Sequence, residues 1–250
     1  MSTEDSFISH LVELRDRLIR ALLAVGVVFI VLFLYPGAST IYDLLAQPML
    51  ATLPPGTRMI ATGVITPFMV PVKVTMLAAF VVALPVVLYQ AWAFVAPGLY
   101  VHEKKLALPL IVSSTLLFIM GMSFCYFFVF KTVFHFIATF APQSITPAPD
   151  IEAYLNFVMT MFLAFGITFE VPIAVVLLVK TGVVTVEKLA AARGYVVVGA
   201  FVIAAVVTPP DVVSQFMLAV PLCVLFELGL FVSRFLKKKE SEERAIVEKH

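Results

Sequence analysis

The chain has 250 residues, of which 62% are hydrophobic and 13% are charged, and its net charge is +1. This composition excludes an ordinary soluble domain and predicts an integral membrane protein. The two cysteines and four histidines have no metal-ligand spacing, and there is no HExxH, no GxSxG and no glycine-rich phosphate loop followed by Lys. We therefore expect no metal, no cofactor and no enzymatic activity.

The first predicted element is an amphipathic helix at the N-terminus, lying at the membrane surface. Its apolar residues recur at helical spacing and its charged residues pair at i,i+4 on the other face. The apolar residues are Phe7, Leu11, Leu14 and Leu18, and the pairs are Glu13 with Arg17 and Asp16 with Arg20. The segment mixes acidic and basic residues and has no small-residue cleavage site, so we do not expect a removed leader.

Six apolar segments follow, and each is a candidate transmembrane helix because a hydrocarbon core of about 30 Å takes about 20 helical residues. They are residues 19–35, 72–95, 106–130, 154–179, 189–207 and 212–233. The unbroken apolar part of the fifth, residues 195–207, is only about 20 Å long at 1.5 Å per residue. We expect short fifth and sixth spans with a recessed wall beside them.

The outer loops carry helix signals of their own. In the first loop, Ile41, Leu44 and Leu45 indicate a short amphipathic helix capped at Ser39. In the second outer loop, Asp150 follows a proline-rich stretch and is a good N-cap for the fourth span.

The distribution of Lys and Arg predicts the orientation. Fourteen of the 17 lie in the N-terminal arm, the second and fourth loops and the tail, and three, Arg58, Lys73 and Lys131, lie on the opposite side. Cytoplasmic loops collect these residues, so we expect both termini in the cytoplasm. The chain is then a single six-span domain over residues 1–236 with a charged cytoplasmic tail over 237–250.

Glu170 is an acidic residue deep in the fourth apolar segment. It lies about 21 Å along the helix from Asn156 and ten residues before Lys180, and a charge facing lipid there costs at least a few kcal/mol. Pro172 removes the N–H that would bond to the carbonyl of Thr168, which opens the helix locally. One interpretation is a carboxyl group satisfied within the bundle.

The interpretation we prefer makes Glu170 part of an intramembrane docking surface. In this hypothesis its carboxyl group receives the polar residue of a partner's single helix, and Thr208 and Gln215 belong to the same surface. Asp211 follows two prolines and is expected to be a structural cap of the outer turn. Glu227 and Lys73 lie near opposite ends of their spans, where snorkelling and a local polar contact both remain open.

Five segments, in this order and on these sides, together resemble one family. They are HLVELRDRL, MIATGVITPF, YQAWAFVAPGLYVHEKK, FGITFEVP and TPPDVVSQFMLAVPLCVLFELG. Over essentially its whole length the chain resembles TatC, the core subunit of the twin-arginine protein translocase. The resemblance implies a non-enzymatic receptor in the bacterial cytoplasmic (inner) membrane, which binds twin-arginine signal peptides of folded precursors. It also implies an oligomeric complex with TatA-type and TatB-type single-span proteins, driven by the proton-motive force.

The resemblance further implies that Glu13, Arg15, Phe94 and Glu103 bind the signal peptide. A carboxylate suits a guanidinium because its two oxygens accept two parallel N–H bonds, which a lysine cannot match. On the charge pattern alone, Glu103 is a solvated loop charge and Glu13 is an intrahelical partner of Arg17. Phe94 alone is typical of core packing.

Two other classes of function fit the sequence less well. A proton-coupled small-solute transporter would use Glu170 as its proton-binding group, but it requires a polar path on several helices and usually repeated halves. The sequence has one deep carboxylate and no internal repeat. An intramembrane protease requires Ser and His or paired Asp within the spans, and neither arrangement is present.

Overall fold

The computed structural model describes residues 3–53, 58–95, 104–140, 142, 148–208 and 210–247. In this part of the chain every extended regular element is a helix, which confirms the predicted all-α class. The helices are α1 Thr3–Leu32, α2 Ala38–Leu50, α3 Thr66–Val95, α4 Lys104–Phe124, α5 Phe130–Phe140, α6 Ile151–Phe169, α7 Val171–Lys180, α8 Val186–Ala191, α9 Arg193–Val207 and α10 Val212–Val247. A five-residue π-helical segment, Cys125–Val129, joins α4 to α5, and a kinked segment, Phe33–Gly37, joins α1 to α2.

Five stretches among the described residues are long and apolar enough to cross a bilayer. They are Ile8–Leu50, Thr66–Phe94, Leu108–Phe140, Ile151–Lys180 and Val212–Leu236. The fifth predicted segment is α9, whose 15 residues give about 22 Å of helix and fall short of a core of about 30 Å. The sixth predicted segment is the shortest of the long stretches, but its 25 residues exceed the required length. Of the six predicted segments, as far as the structure describes them, only the fifth is therefore too short to span unaided.

The predicted short helix after the first span is present as α2, and the predicted cap at Ser39 is wrong. The residue preceding α2 is Gly37, and Ser39 lies inside the first turn. The chain bends before α2, where Tyr35 is extended and Gly37 has φ +96°. A positive φ favours glycine, so the bend is made at Gly37 and the helix begins too early for Ser39 to cap it.

One compact unit comprises residues 1–116 and 130–159. Its core includes Val70 and Val74 of α3 and Leu155 of α6, against which Ile41 and Leu45 of α2 pack. The apolar face of α2 therefore rests on α3 and α6, as its amphipathic pattern predicts.

Asp150 joins the start of α6 to a segment around Thr62 in this unit. Its Oδ1 accepts hydrogen bonds from the backbone N–H groups of Glu152 at 2.9 Å and Ala153 at 3.0 Å, so the predicted N-cap of α6 is present. Its Oδ2 accepts from the N–H of Thr62 at 3.1 Å and from its hydroxyl at 2.8 Å. Beside this contact, Ile60 and Asp150 form an isolated parallel bridge. These hydrogen bonds hold the pKa of Asp150 below its usual value, and the one from the N–H of Ala153 has the largest effect.

A second compact unit comprises residues 117–129 and 160–250. Its core includes Val175 of α7 with Phe226 and Leu230 of α10. A Cβ added at Gly229 would lie 2.9 Å from the Cβ of Val175 and 3.0 Å from the Cα of Pro172. Glycine is thus required at this position, because α10 approaches the backbone of α7 too closely for any side chain.

Candidate functional site

Glu13 of α1 is held by an arginine of the same helix. Arg17 donates hydrogen bonds from Nε at 2.9 Å and from Nη2 at 2.6 Å to a single oxygen, Oε1 of Glu13. The side chains of Glu13 and Arg17 are 38% and 22% exposed. The predicted i,i+4 pair is present, and the carboxylate remains accessible.

Helix α3 supplies two further side chains at this position. Nη1 of Arg17 donates to Oε1 of Gln90 at 3.5 Å, and the Gln90 side chain is buried. The Phe94 ring stacks on the His10 ring with centroids 4.4 Å apart and planes at 19°. We call these five residues, His10, Glu13, Arg17, Gln90 and Phe94, the arm cluster.

Three members of the arm cluster, His10, Arg17 and Gln90, were not predicted as site residues. A signal for them exists in the spacing, because His10 and Arg17 lie three residues before and four after Glu13, on the same face of α1. Gln90 lies four residues before Phe94 and shares its face of α3 in the same way. The contact between the two faces depends on tertiary packing, which the sequence does not display.

Arg15 is not part of the arm cluster. It is 67% exposed, and its Nε and Nη2 donate to Oδ1 of Asp16 at 3.0 and 2.9 Å. Two residues along a helix turn through about 200°, so Arg15 lies on another side of α1 from Glu13. Asp16 was predicted to pair with Arg20 and is instead bonded to Arg15. Glu103, the other predicted carboxylate, lies outside the described residues.

Glu170 occupies the break between α6 and α7. Its N–H donates to the carbonyl of Ile167 at 3.0 Å and its own carbonyl accepts from the N–H of Ala174 at 3.0 Å. Pro172 follows at the start of α7, where the helix was predicted to open. The Oε1 atom of Glu170 is buried in protein. The carboxyl group is therefore backed by protein and does not project fully into lipid.

The remaining predicted residues lie at the turn between α9 and α10. Thr208 ends α9, is buried, and donates its hydroxyl to the carbonyl of Ala204 at 2.8 Å. Oδ1 of Asp211 accepts a hydrogen bond from the N–H of Ser214 at 2.6 Å, which is the geometry of an N-cap. Gln215 lies one residue further along α10 and is half-buried.

The residues predicted to form one docking surface fall at two levels of the second unit. Gly229 is the residue of α10 that packs against Pro172, close to Glu170. Gln215 precedes Gly229 by 14 residues, which is about 21 Å along the helix. The side chains of Glu170 and Gln215 are both too short to bridge that distance.

The two ionisable residues left open between snorkelling and a local contact both form ion pairs. Nε and Nη2 of Arg193 donate to Oε1 and Oε2 of Glu227 at 2.5 and 2.9 Å. Nζ of Lys73 donates to Oε1 of Glu152 at 3.0 Å. Among the described residues, no group of three or more His, Cys, Asp or Glu has a geometry that would hold a metal ion.

These features define an all-α, polytopic membrane protein with a partly exposed carboxylate, Glu13, in its first helix and a second carboxylate, Glu170, with one buried oxygen in its fourth apolar segment. Residues 9–221 match the family described as Sec-independent protein translocase protein (TatC). The chain is 50% identical over 237 residues to the TatC protein of Escherichia coli strain K12, covering 94% of this chain and 91% of that one.

Further comparisons agree with this match. The TatC protein of Halothiobacillus neapolitanus is 52% identical over 242 residues, which cover 97% of this chain and 66% of that protein's length. A crystal structure of the twin arginine translocase receptor TatC superposes with a TM-score of 0.78 at 38% identity, covering 90% of this chain and 98% of that one. The chain belongs to the TatC family of Sec-independent protein translocase proteins.

Proposed function

We propose that this chain is the receptor subunit of a twin-arginine translocase and that it recognises the arginine pair of signal peptides with the carboxylate of Glu13. The observation that carries the proposal is the arm cluster, in which Glu13 is accessible and already binds the guanidinium of Arg17. A carboxylate that accepts one guanidinium is chemically suited to accept another. A similar protein, solved as a twin arginine translocase receptor, supports the assignment.

Other residues of the arm and of α3 would complete the binding surface. Glu103 supplies a second carboxylate for the second arginine of the pair. Phe94, stacked on His10, offers an aromatic face that suits the guanidinium planes and the apolar residues of a signal peptide. Arg15, which lies on another side of α1 from Glu13, orients the bound peptide.

The second unit would dock partner subunits within the membrane. Glu170, close to Gly229 of α10, provides one polar contact for single-span helices of the TatA and TatB type, and the pair Thr208 and Gln215, about 20 Å from Gly229 along that helix, provides another. The chain would lie in the bacterial inner membrane with both termini in the cytoplasm and work in an oligomeric complex. The proton-motive force drives the transport in this scheme, and the chain itself catalyses no reaction.

Export of a folded reporter tests the proposed function. Cells that lack their own TatC subunit but retain the partner subunits receive this chain, with a reporter carrying an Arg-Arg signal or the same signal changed to Lys-Lys. We expect export only with the chain and the Arg-Arg signal. Equal export of both reporters, or none with the chain inserted, would contradict the proposal. In the second case, a proton-linked solute flux sensitive to Glu170→Gln would favour the transporter interpretation.

A further inference from the structure

We propose that Arg17 is an internal competitor of the signal peptide. In the empty receptor its guanidinium occupies the Glu13 carboxylate, and an arriving signal-peptide arginine displaces it onto Gln90. This inference rests on the proposed function, because it concerns the occupancy of the same carboxylate. It adds a regulatory role for Arg17 and Gln90, neither of which was predicted as a site residue.

The first observation is that Arg17 binds Glu13 incompletely. Both of its N–H groups reach Oε1, while Oε2 faces Nδ1 of His10 at 3.9 Å, beyond hydrogen-bonding distance. The ion pair of Arg193 and Glu227 shows the full arrangement, in which two N–H groups bind two different oxygens. Arg17 lies one turn from Glu13 on α1, so the helix restricts how its guanidinium approaches. A guanidinium on another chain is free of that restriction and can engage both oxygens.

The second observation is that a second acceptor is already beside Arg17. Its Nη1 lies 3.5 Å from Oε1 of Gln90, a weak contact at the limit of hydrogen bonding. Gln90 is only 8% exposed, and its amide oxygen is therefore shielded from competing water. When Arg17 leaves Glu13, this contact can shorten. The displaced guanidinium then keeps a partner, which avoids the penalty of a largely enclosed charge with none.

Internal competition has a defined effect on affinity. A peptide binds only the fraction of receptors in which Glu13 is released, so the apparent Kd is raised by the reciprocal of that fraction. Weakening the internal pair therefore tightens peptide binding. For a partly exposed i,i+4 ion pair we expect about two- to fivefold.

The test measures binding of a fluorescent synthetic signal peptide to the full chain in lipid nanodiscs by anisotropy. Arg17→Lys retains the positive charge but removes the planar fork of N–H groups. We expect the Kd of the Arg-Arg peptide to fall by about two- to fivefold. Arg20→Lys, the same change on an exposed residue of α1, is the matched control and should leave the Kd unchanged.

A double-mutant cycle tests the role of Gln90. Gln90→Met removes the acceptor at similar volume and should raise the Kd by about two- to fivefold when Arg17 is present. In the Arg17→Gln background, where no guanidinium needs a second acceptor, the same change should have no effect. An equal effect in both backgrounds, or a Kd that Arg17→Lys leaves unchanged or raises, would overturn the competitor proposal.

The Lys-Lys peptide separates this failure from a failure of the proposed function. If the unaltered chain prefers the Arg-Arg peptide but Arg17→Lys does not tighten binding, only the competitor proposal is wrong. If the unaltered chain binds both peptides equally, the receptor function is wrong, and the competitor proposal fails with it.

Discussion

Arg193 and Glu227 join α9 to α10 through two parallel hydrogen bonds between a guanidinium and a carboxylate. Arg193 is the first residue of α9, the one apolar helix among the described elements that is too short to span. The pair thus fixes the start of this helix to its longer neighbour. Both side chains are about half exposed, at 48% and 49%.

Breaking this pair should destabilise the second unit. Arg193→Gln or Glu227→Gln leaves one charge of this half-exposed pair without its partner and should lower the unfolding temperature. The reversed pair, Arg193→Glu with Glu227→Arg, should recover most of the loss. Thermal unfolding of the chain in nanodiscs measures the effect, and single variants as stable as the unaltered chain would contradict the account.

Gly229 should tolerate no side chain. A Cβ there meets Val175 and Pro172 at 2.9 and 3.0 Å, so Gly229→Ala forces α10 away from α7 and should cost about 1–3 kcal/mol. Gly199 of α9 is the matched control, because a Cβ there has no atom within 4 Å. Gly199→Ala should be neutral or stabilising, since alanine is the better helix former. Equal losses for the two variants in the same unfolding measurement would disprove the packing argument.

Asp150 should make the contact between residues 60–62 and the start of α6 sensitive to acid. Its pKa is lowered by hydrogen bonds to the carboxylate, so folding favours the charged form. The resulting stabilisation is present above the ordinary pKa of 3.8 and is lost as the pH falls below it, through the lowered value.

Hydrogen exchange of the Ile60 and Ile151 amides measures this effect, because both take part in the bridge between the segments. After correction for the intrinsic pH dependence of amide exchange, we expect both amides to exchange faster below about pH 4 than above it. Asp150→Asn should remove that additional pH dependence. An unchanged profile in the variant would show that another group is responsible.

Glu170 and Gln215 should act independently in partner binding. Glu170 lies two residues before Pro172, which packs against Gly229, and Gly229 is about 21 Å along α10 from Gln215, beyond the range at which substitutions usually couple. We expect Glu170→Ala and Gln215→Ala each to reduce cross-linking to single-span partners, with additive effects in the double variant. If Glu170→Ala leaves both cross-linking and export unchanged, the docking role of Glu170 is wrong. Strong non-additivity would indicate one shared surface, as the sequence predicts.

Local sequence patterns predicted local structure well. The Glu13 and Arg17 pair follows from helical spacing alone, and Asp150 caps α6 because a short acceptor before a helix bonds its first N–H groups. The Ser39 cap failed because the bend at Gly37, which requires a positive φ, begins the helix earlier. Asp16 pairs with Arg15 instead of Arg20 because both arginines are close enough along α1 to reach its carboxylate, and helical spacing alone does not choose between them.

Tertiary relationships were harder to predict. The stacking of His10 on Phe94 and the contact of Arg17 with Gln90 join residues more than 70 positions apart, and no local pattern specifies which faces of α1 and α3 meet. The separation of Glu170 from Gln215 likewise depends on how α7 packs on α10 at Gly229. The functional roles of Glu13, Glu103 and Glu170 stay predictions.

The most direct test of the account is the affinity of an Arg-Arg signal peptide for the chain with Glu13→Gln. The amide keeps the shape of the side chain but removes the charge, and a lost charge-assisted interaction of about 1.5–3 kcal/mol corresponds to about 10- to 100-fold. Glu152→Gln, which removes a carboxylate bound to Lys73, is the control and should leave the Kd unchanged. We predict weaker peptide binding with Glu13→Gln and unchanged binding with Glu152→Gln. Binding of the Arg-Arg peptide that is unaffected by Glu13→Gln would contradict it.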